Sequence, residues 1–354
     1  MPKTQRIRRV KKKIYIAYTG GTIGMQKKQS GYAPVAGYLA ESMALMAEFK
    51  RPQMPTFQIH EYDPLIDSSN MSPDNWLKIA EDIAAHHDQF DGFVVLHGTD
   101  TMAYTASALP FMLQGLSKPV ILTGGQIPLC EIRNDSRENL ITAMLIAAHE
   151  RIAEVCLFFG SKLLRGNRSV KVNADGFDAF DSPNFPPLGI AGVGIDIHSQ
   201  LLLPPPDSPT ELKIKVFRQS RVAALRLFPG ISAEVIRNIL APPIQGLVLE
   251  TYGLGNAPSN DPDLLHELAL AVQRGVVIVN CTQCLKGRVR MGAYATGHAL
   301  GRVGVISGLD LTAEAALAKM FYLFSQDLPV EQIKRLMQTN LRGELTEATS
   351  DFAV

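Results

Sequence analysis

Residues 14–25 read IYIAYTGGTIGM, and the fold class turns on what that stretch is. Five apolar residues bounded by glycine make a short strand buried on both faces. The glycines let the backbone turn tightly and present its N–H groups, and Thr22 is the reactive side chain in the turn. Two uses fit such a loop. Thr22 can be a nucleophile beside an oxyanion hole, or Thr19 and Thr22 can cap turns and cradle a phosphate. TGGT alone does not separate them.

Similar junctions recur downstream. Phe93–Leu96 (FVVL) runs into His97-Gly98-Thr99-Asp100, and Val120–Leu122 (VIL) runs into Thr123-Gly124-Gly125. Each is a continuous apolar run ending in hydroxyls and glycine. In a parallel sheet with crossover helices the carboxyl ends of the strands lie along one edge, where ligands bind. The spacing therefore predicts an α/β fold in which three polar strand ends share one cleft.

Working outward, the basic stretch before the first strand (Lys3, Arg6, Arg8, Arg9, Lys11, Lys12, Lys13) reads as a solvated tail over residues 1–13. The apolar run behind it is shorter than the roughly 7–15 residues of a secretion signal. Gly31 to Phe49 reads as a crossing segment, and Tyr32 within it is either a lid residue over the cleft or an ordinary exposed tyrosine. FQIHEY at residues 57–62 alternates like a strand, and Asp67-Ser68-Ser69-Asn70 follows as a polar loop suited either to a carboxylate ligand or to turn and cap duties. Ser72-Pro73 marks a helix start, and further helices are expected over Thr101–Leu113 and from about Glu138 to Glu150. VCLFF at 155–159 is another buried strand, followed by a glycine- and asparagine-rich region of hairpins and loops. Lys171, between two valines there, points to water by default; facing inward it would be desolvated and able to act as a base.

LLLPPPDSPT at 201–210 carries four prolines and reads as an interdomain linker. Beyond Arg221 strands and helices alternate again. The expected organisation is a larger N-terminal domain over 14–200 with a mostly parallel sheet flanked by helices, a linker over 201–219, and a smaller parallel α/β domain over 220–354.

With 354 residues, a net charge of +1 and 19% charged residues, the chain gives no reason to expect nucleic-acid or membrane partners. No apolar run approaches the roughly 18 residues of a spanning helix. Of the four cysteines, Cys281 and Cys284 form a CxxC without a second pair or a histidine pair to complete a zinc site, so free thiols and a reducing cytoplasm are expected. The glycines at 20, 21 and 24 do not make GxGxxG, and the P-loop and HExxH patterns are absent. Two function classes remain: a hydrolase, and a small-molecule binding module or amino-acid sensor. Cleaving an amide about a millionfold faster than water needs a barrier lowered by roughly 8 kcal/mol, hence several convergent groups, and Thr22, Thr99, Asp100 and Lys171 supply a nucleophile, a second hydroxyl, a carboxylate and a base.

The set TGGTIG at 19–24, HGTDTM at 97–102, TGGQIP from Thr123 and GNRSVKVNADGFDAF from Gly166 resembles the bacterial L-asparaginases, most closely the cytoplasmic type I enzymes, and the likeness covers almost the whole chain after the tail, YGLGNAP included. The resemblance implies hydrolysis of L-asparagine to L-aspartate and ammonia through a covalent acyl intermediate, with no cofactor and no metal. It implies Thr22 as nucleophile, Tyr32 as the lid tyrosine that assists it, and Thr99, Asp100 and Lys171 as the second cluster, in which Thr99 orients water or the reacting amide, Lys171 is the base and Asp100 pairs with the substrate ammonium and with Lys171. Asp67, Ser68 and Ser69 match the loop that holds the substrate α-carboxylate, and Asn256 a residue reaching in from a neighbouring subunit of a homodimer or homotetramer. Some cytoplasmic relatives carry an effector site for asparagine built on a threonine and an arginine; here those positions are Val170 and Glu250, so cooperative activation is expected to be absent. A glutaminase or broader amidohydrolase of the same fold, and a catalytically silent sensor, are the alternatives.

Overall fold

The computed structural model of the protein describes residues 11–29, 31–149, 151–206, 211–292 and 295–347. Lys3, Arg6, Arg8 and Arg9 of the expected tail lie outside the described residues. Lys13 does not belong to that tail: it opens the first strand, because its backbone N–H donates to Asp91 Oδ2 at 2.8 Å and its carbonyl accepts from Asp91 N at 2.8 Å.

The chain begins with β1 (Lys13–Tyr18), a hairpin of β2 (Met25–Lys28) and β3 (Gly31–Pro34), α1 (Tyr38–Leu45), β4 (Thr56–Glu61), α2 (Pro73–His86) and β5 (Gly92–Leu96). Then come α3 (Met102–Met112), β6 (Leu113–Gln114), β7 (Val120–Thr123), α4 (Ser136–Ala147), β8 (Val155–Phe159) and β9 (Lys162–Arg165). Four short strands follow, β10 (Val170–Lys171), β11 (Phe180–Asp181), β12 (Gly189–Ala191) and β13 (Ile195–Ile197), with β14 (Lys213–Ile214) after the prolines. The remainder is β15 (Val222–Arg226), α5 (Ala233–Ile239), β16 (Gly246–Thr251), α6 (Pro262–Gln273), β17 (Val277–Thr282), α7 (Ala295–Arg302), β18 (Ile306–Ser307), α8 (Ala313–Phe324) and α9 (Val330–Met337).

The large sheet has the order β13-β12-β9-β8-β7-β5-β1-β4. From β4 to β8 all neighbours run parallel, and β9, β12 and β13 continue the sheet antiparallel. Both faces of its central strands are covered, which is why β1, β5, β7 and β8 read as apolar runs, whereas the edge strand β4 alternates. Along β1, Tyr15 and Ala17 enter the core beneath α2 and α3 with Ile79, Ile83 and Leu109, whereas Ile14, Ile16 and Tyr18 enter the opposite core with Leu140 and Met144 of α4. Helix α2 starts where Ser72-Pro73 predicts, in a capping box with Asn75, a feature that stabilises by about 1 kcal/mol. The second sheet, β15-β16-β17-β18, is parallel throughout.

In the large sheet the chain leaves β1 to one side for β4 and to the other for β5. This reversal of strand order is a topological switch point, and the crevice beyond the carboxyl ends of β1 and β5 is where an open α/β sheet binds ligands.

The proline-rich stretch is fastened rather than loose. Leu203 N donates to Glu154 Oε1 at 2.8 Å, Leu201 O accepts from Arg165 Nη2 at 2.6 Å, and β14 pairs with β6; residues 207–210 lie outside the described part. Helix α8 of the second domain packs on α3 of the first across an aromatic seam in which Phe111 stacks on Tyr322 and Phe217 on Phe321. The segment after α9 returns to the first domain, where Asn167 Nδ2 donates to Arg342 O at 2.8 Å and Arg168 holds Asp310, Thr346 Oγ1 and Glu344 O. Among the described residues no helix is long and apolar enough to cross a membrane.

Candidate active site

The crevice is built by backbone approach before any side chain enters it. Thr19 spends both its backbone N–H and its hydroxyl on Leu96 O, at 3.0 and 2.8 Å, tying the end of β1 to that of β5. Gly21 then sits at φ +92°, and a Cβ there would stand 2.6 Å from Gly98 N, so only glycine fits both the conformation and the space. A Cβ on Gly98 would meet Ser68 Oγ at 2.4 Å. Three loops, 19–22, 66–69 and 97–101, are thereby held in mutual contact. Thr22 opens a 3-10 turn (Thr22–Gly24) and is partly exposed, and its hydroxyl has no hydrogen-bond partner among the described residues.

Lys171 faces inward, against the default of an alternating strand. Its Nζ lies 2.9 Å from Thr99 Oγ1 and 2.9 Å from Asp100 Oδ1. The Lys171 side chain is 21% exposed and that of Asp100 65%, so the pair stands at the rim of the cleft with the carboxylate open to a cationic ligand. The direction is set from behind. β10 pairs with β11 in the register Lys171↔Phe180, and the buried Arg168 just before it makes a two-pronged ion pair with Asp310. Thr99, itself largely buried, donates its hydroxyl to Gln126 Oε1 at 3.2 Å.

Asp67 caps the short turn Ser68–Asn70, its Oδ1 accepting from both Ser69 N and Ser69 Oγ at 2.9 Å. Its carboxylate thus shapes the loop, and Ser68, buried against Gly98, lies deepest of the three. Tyr32 lies on β3, one arm of a hairpin, and donates its hydroxyl to Glu131 Oε1 at 2.7 Å. That hydrogen bond raises the pKa of its phenol. Asn256 lies in the loop after β16, where its backbone bridges to Tyr252.

Beneath the site runs a buried chain that sequence reasoning did not single out. Trp76 Nε1 donates to Thr105 Oγ1 at 3.1 Å, Thr105 Oγ1 lies 2.9 Å from His97 Nε2, and His97 Nδ1 lies 2.7 Å from Gly98 O. Because that carbonyl can only accept, Nδ1 carries the proton and Nε2 accepts from the threonine. Burial lowers the His97 pKa to about 4, so the imidazole is neutral and orients the backbone between Gly21 and Thr99. An unfolded histidine takes up its proton near pH 6.5, so this contribution to stability is complete above that pH and lost as pH falls to about 4, a total of about 3 kcal/mol. Denaturant unfolding of the native protein and of His97→Gln across that range measures it: the stability difference between them is expected to shrink as pH falls, and a constant difference contradicts the assignment.

Cys281 is buried in β17, which pushes its thiol up to about 12, and Cys284 is exposed; both are free. Among the described residues no group of three His, Cys, Asp or Glu side chains is arranged to hold a metal.

Comparison with known proteins follows the same lines. Residues 13–203 match the family described as Asparaginase, N-terminal, and residues 221–337 the Glutaminase/Asparaginase C-terminal domain. The chain is 56% identical over 337 residues to L-asparaginase 1 of Escherichia coli K12, covering 95% of this chain and 98% of that one. Its fold is similar to L-asparaginase I from Vibrio cholerae (TM-score 0.88, 54% identity, 95% and 99% of the two chains) and to the thermostable L-asparaginase from Thermococcus kodakarensis (TM-score 0.84, 32% identity, 95% and 100%).

Proposed function

The chain belongs to the asparaginase family and hydrolyses L-asparagine to L-aspartate and ammonia; we propose that it does so through an acyl-enzyme on Thr22. The observation that carries this reading is Lys171 Nζ held 2.9 Å from both Thr99 and Asp100 at the switch-point crevice, where the Thr22 turn is packed against the same loop. In the first half-reaction Thr22 Oγ bonds to the carboxamide carbon, its proton leaves with the amine, and the C–N bond breaks to release ammonia. Tyr32 assists this step after the β2–β3 hairpin swings its hydroxyl from Glu131 towards Thr22. In the second half Thr99 orients a water, a neutral Lys171 takes its proton through the Thr99 hydroxyl, the new C–O bond forms as the bond to Thr22 Oγ breaks, and that proton passes from Lys171 to Thr22 Oγ, restoring the amine and the hydroxyl. General-base help of this kind is worth about 10²–10⁴ in rate.

The substrate is a zwitterion, and the crevice has a group for each end. The 67–69 loop meets the α-carboxylate through Ser68 and through the Ser69 hydroxyl once it turns from Asp67, and the exposed Asp100 carboxylate meets the ammonium. No cofactor enters the scheme. Asn256 completes the site from a neighbouring subunit of a homodimer or a dimer of dimers. The exposed thiols Cys130 and Cys284 suit a reducing cytoplasm.

Ammonia release from L-asparagine and from L-glutamine tests the substrate. Turnover of asparagine above glutamine is expected, the reverse preference makes the chain a glutaminase of the same fold, and binding of aspartate without turnover of either makes it a sensor. The rate curve for asparagine is expected to be hyperbolic. Val170 is buried and apolar, and Glu250, whose charge adds to the burial that chiefly raises the Glu314 carboxyl, is a poor neighbour for a second asparagine carboxylate. A sigmoidal curve contradicts this.

A further inference from the structure

Gln126 stands between two parts of the site that no strand or helix joins. Its Oε1 accepts from the Thr99 hydroxyl at 3.2 Å, while its Nε2 donates to Ala174 O at 3.0 Å and Gly176 O at 3.2 Å, in the loop that follows Lys171. The orientation of the amide is therefore fixed by chemistry: two carbonyls need its N–H groups, so its oxygen must face Thr99. Its own backbone is clamped, since the N–H groups of Gln126 and Ile127 both donate to Asp135, at 2.9–3.0 Å, and Asp135 in turn accepts from Asn139.

The consequence lies in where the Thr99 proton points. Lys171 Nζ donates to Thr99 Oγ1, which occupies a lone pair, and Thr99 gives its hydrogen to Gln126. To pass a proton to Lys171 during water activation, Thr99 must first rotate that hydrogen from Gln126 to a lysine in its neutral state. Gln126 sets the resting end of that rotation and keeps Thr99 Oγ1 within reach of Lys171. Through Ala174 and Gly176 it also holds the loop downstream of Lys171 at a fixed distance from Thr99.

Resting on the asparaginase reading above, we propose that Gln126 is a positioning residue for this reaction: it orients the Thr99 hydroxyl and anchors the 174–176 loop so that Thr99 and Lys171 act as one unit. The reaction steps are unchanged; Gln126 acts through Thr99.

The test is a double-mutant cycle on the full chain, because a residue acting through another loses its effect when that other is removed. Gln126→Leu is expected to lower kcat for L-asparagine about tenfold, with KM changed less than about twofold, as befits one hydrogen bond lost from the reacting arrangement. In a Thr99→Val background the same substitution is expected to change kcat by less than about twofold. Amide hydrogen exchange is expected to speed up over residues 174–178 in Gln126→Leu. The more polar Gln126→Asn, one carbon too short to bridge both sides, reads the same way if the leucine variant does not fold. An equal fractional loss in both backgrounds overturns the proposal, as does a variant with native kcat or with unchanged exchange in the loop. A native enzyme that turns over asparagine while Gln126→Leu loses nothing defeats this inference alone, whereas a native enzyme silent towards asparagine defeats the functional reading beneath it.

Discussion

Replacing Thr22 with alanine is expected to lower kcat for L-asparagine by about 10⁴-fold or more and to leave the thermal unfolding midpoint nearly unchanged. Thr22 is partly exposed in its 3-10 turn and its hydroxyl has no hydrogen-bond partner among the described residues, so its loss orphans no buried group. The turn itself is held by the Thr19 bonds to Leu96 O and by the Gly21–Gly98 approach, neither of which involves the Thr22 side chain. Substrate binding also survives, since the 67–69 loop and Asp100 are intact. Ammonia release and aspartate binding, measured side by side, check this. A variant that keeps more than about a tenth of native kcat removes Thr22 from the covalent role.

The second large effect concerns stability. Lys319→Met is expected to destabilise the protein by about 3–5 kcal/mol, the usual result of breaking a buried ion pair by removing one partner. Lys319 Nζ and Glu344 Oε1 lie 2.6 Å apart with both side chains wholly buried. The ammonium also donates to Met337 O and Thr339 O, and the carboxylate accepts from the backbone of Leu341 and Arg342. The pair therefore pins the chain after α9 against α8, and that same chain reaches Asn167 and Arg168 just ahead of Lys171. Denaturant unfolding measures the loss, and exchange over 338–346 locates it. Lys319→Met, Glu344→Leu together should recover much of the stability, because the uncompensated charge is gone; equal stability of native protein and single variant contradicts the account.

What the sequence carried and what it did not follow from the range of the interactions. The central strands of the large sheet are apolar on both faces, so β1, β5, β7 and β8 stand out as runs, and helix α2 announces itself through Ser72 and Pro73. The hairpin β2–β3 has no apolar face: MQKK and GYAP give no alternation to detect, so around Tyr32 the sequence shows only a crossing segment. Helix α7 lies in a glycine-rich stretch, with glycines at 297 and 301. β6 and β14 are two residues each, too short for a period, yet their pairing helps fasten the proline-rich stretch.

At the site, Thr22, Thr99 and Asp100 stand out as candidate chemistry because hydroxyls and a charge follow apolar runs, whereas Lys171 lies between two valines after a polar loop. The direction of Lys171 is not legible, since β10 has only two residues and its register comes from Phe180–Asp181 and from Arg168 gripping the far end of the chain. Gln126 lies inside a motif visible in the sequence, TGGQIP, but besides the Thr99 hydroxyl its side chain meets two loop carbonyls that carry no side-chain signal at all. The chain from Trp76 through Thr105 to His97 is equally silent, because each member looks like an ordinary core residue until the tertiary structure brings them together.

The central claim is a covalent intermediate on Thr22, and mass spectrometry of the trapped enzyme tests it most directly. Lys171→Met, in which water activation is impaired, is mixed with L-asparagine, quenched in acid and mapped by peptide. The account predicts an aspartyl ester on the peptide carrying Thr22, accumulating in step with a burst of ammonia. A burst of ammonia with the Thr22 peptide unmodified, or an ester carried by Thr99 instead, would contradict it.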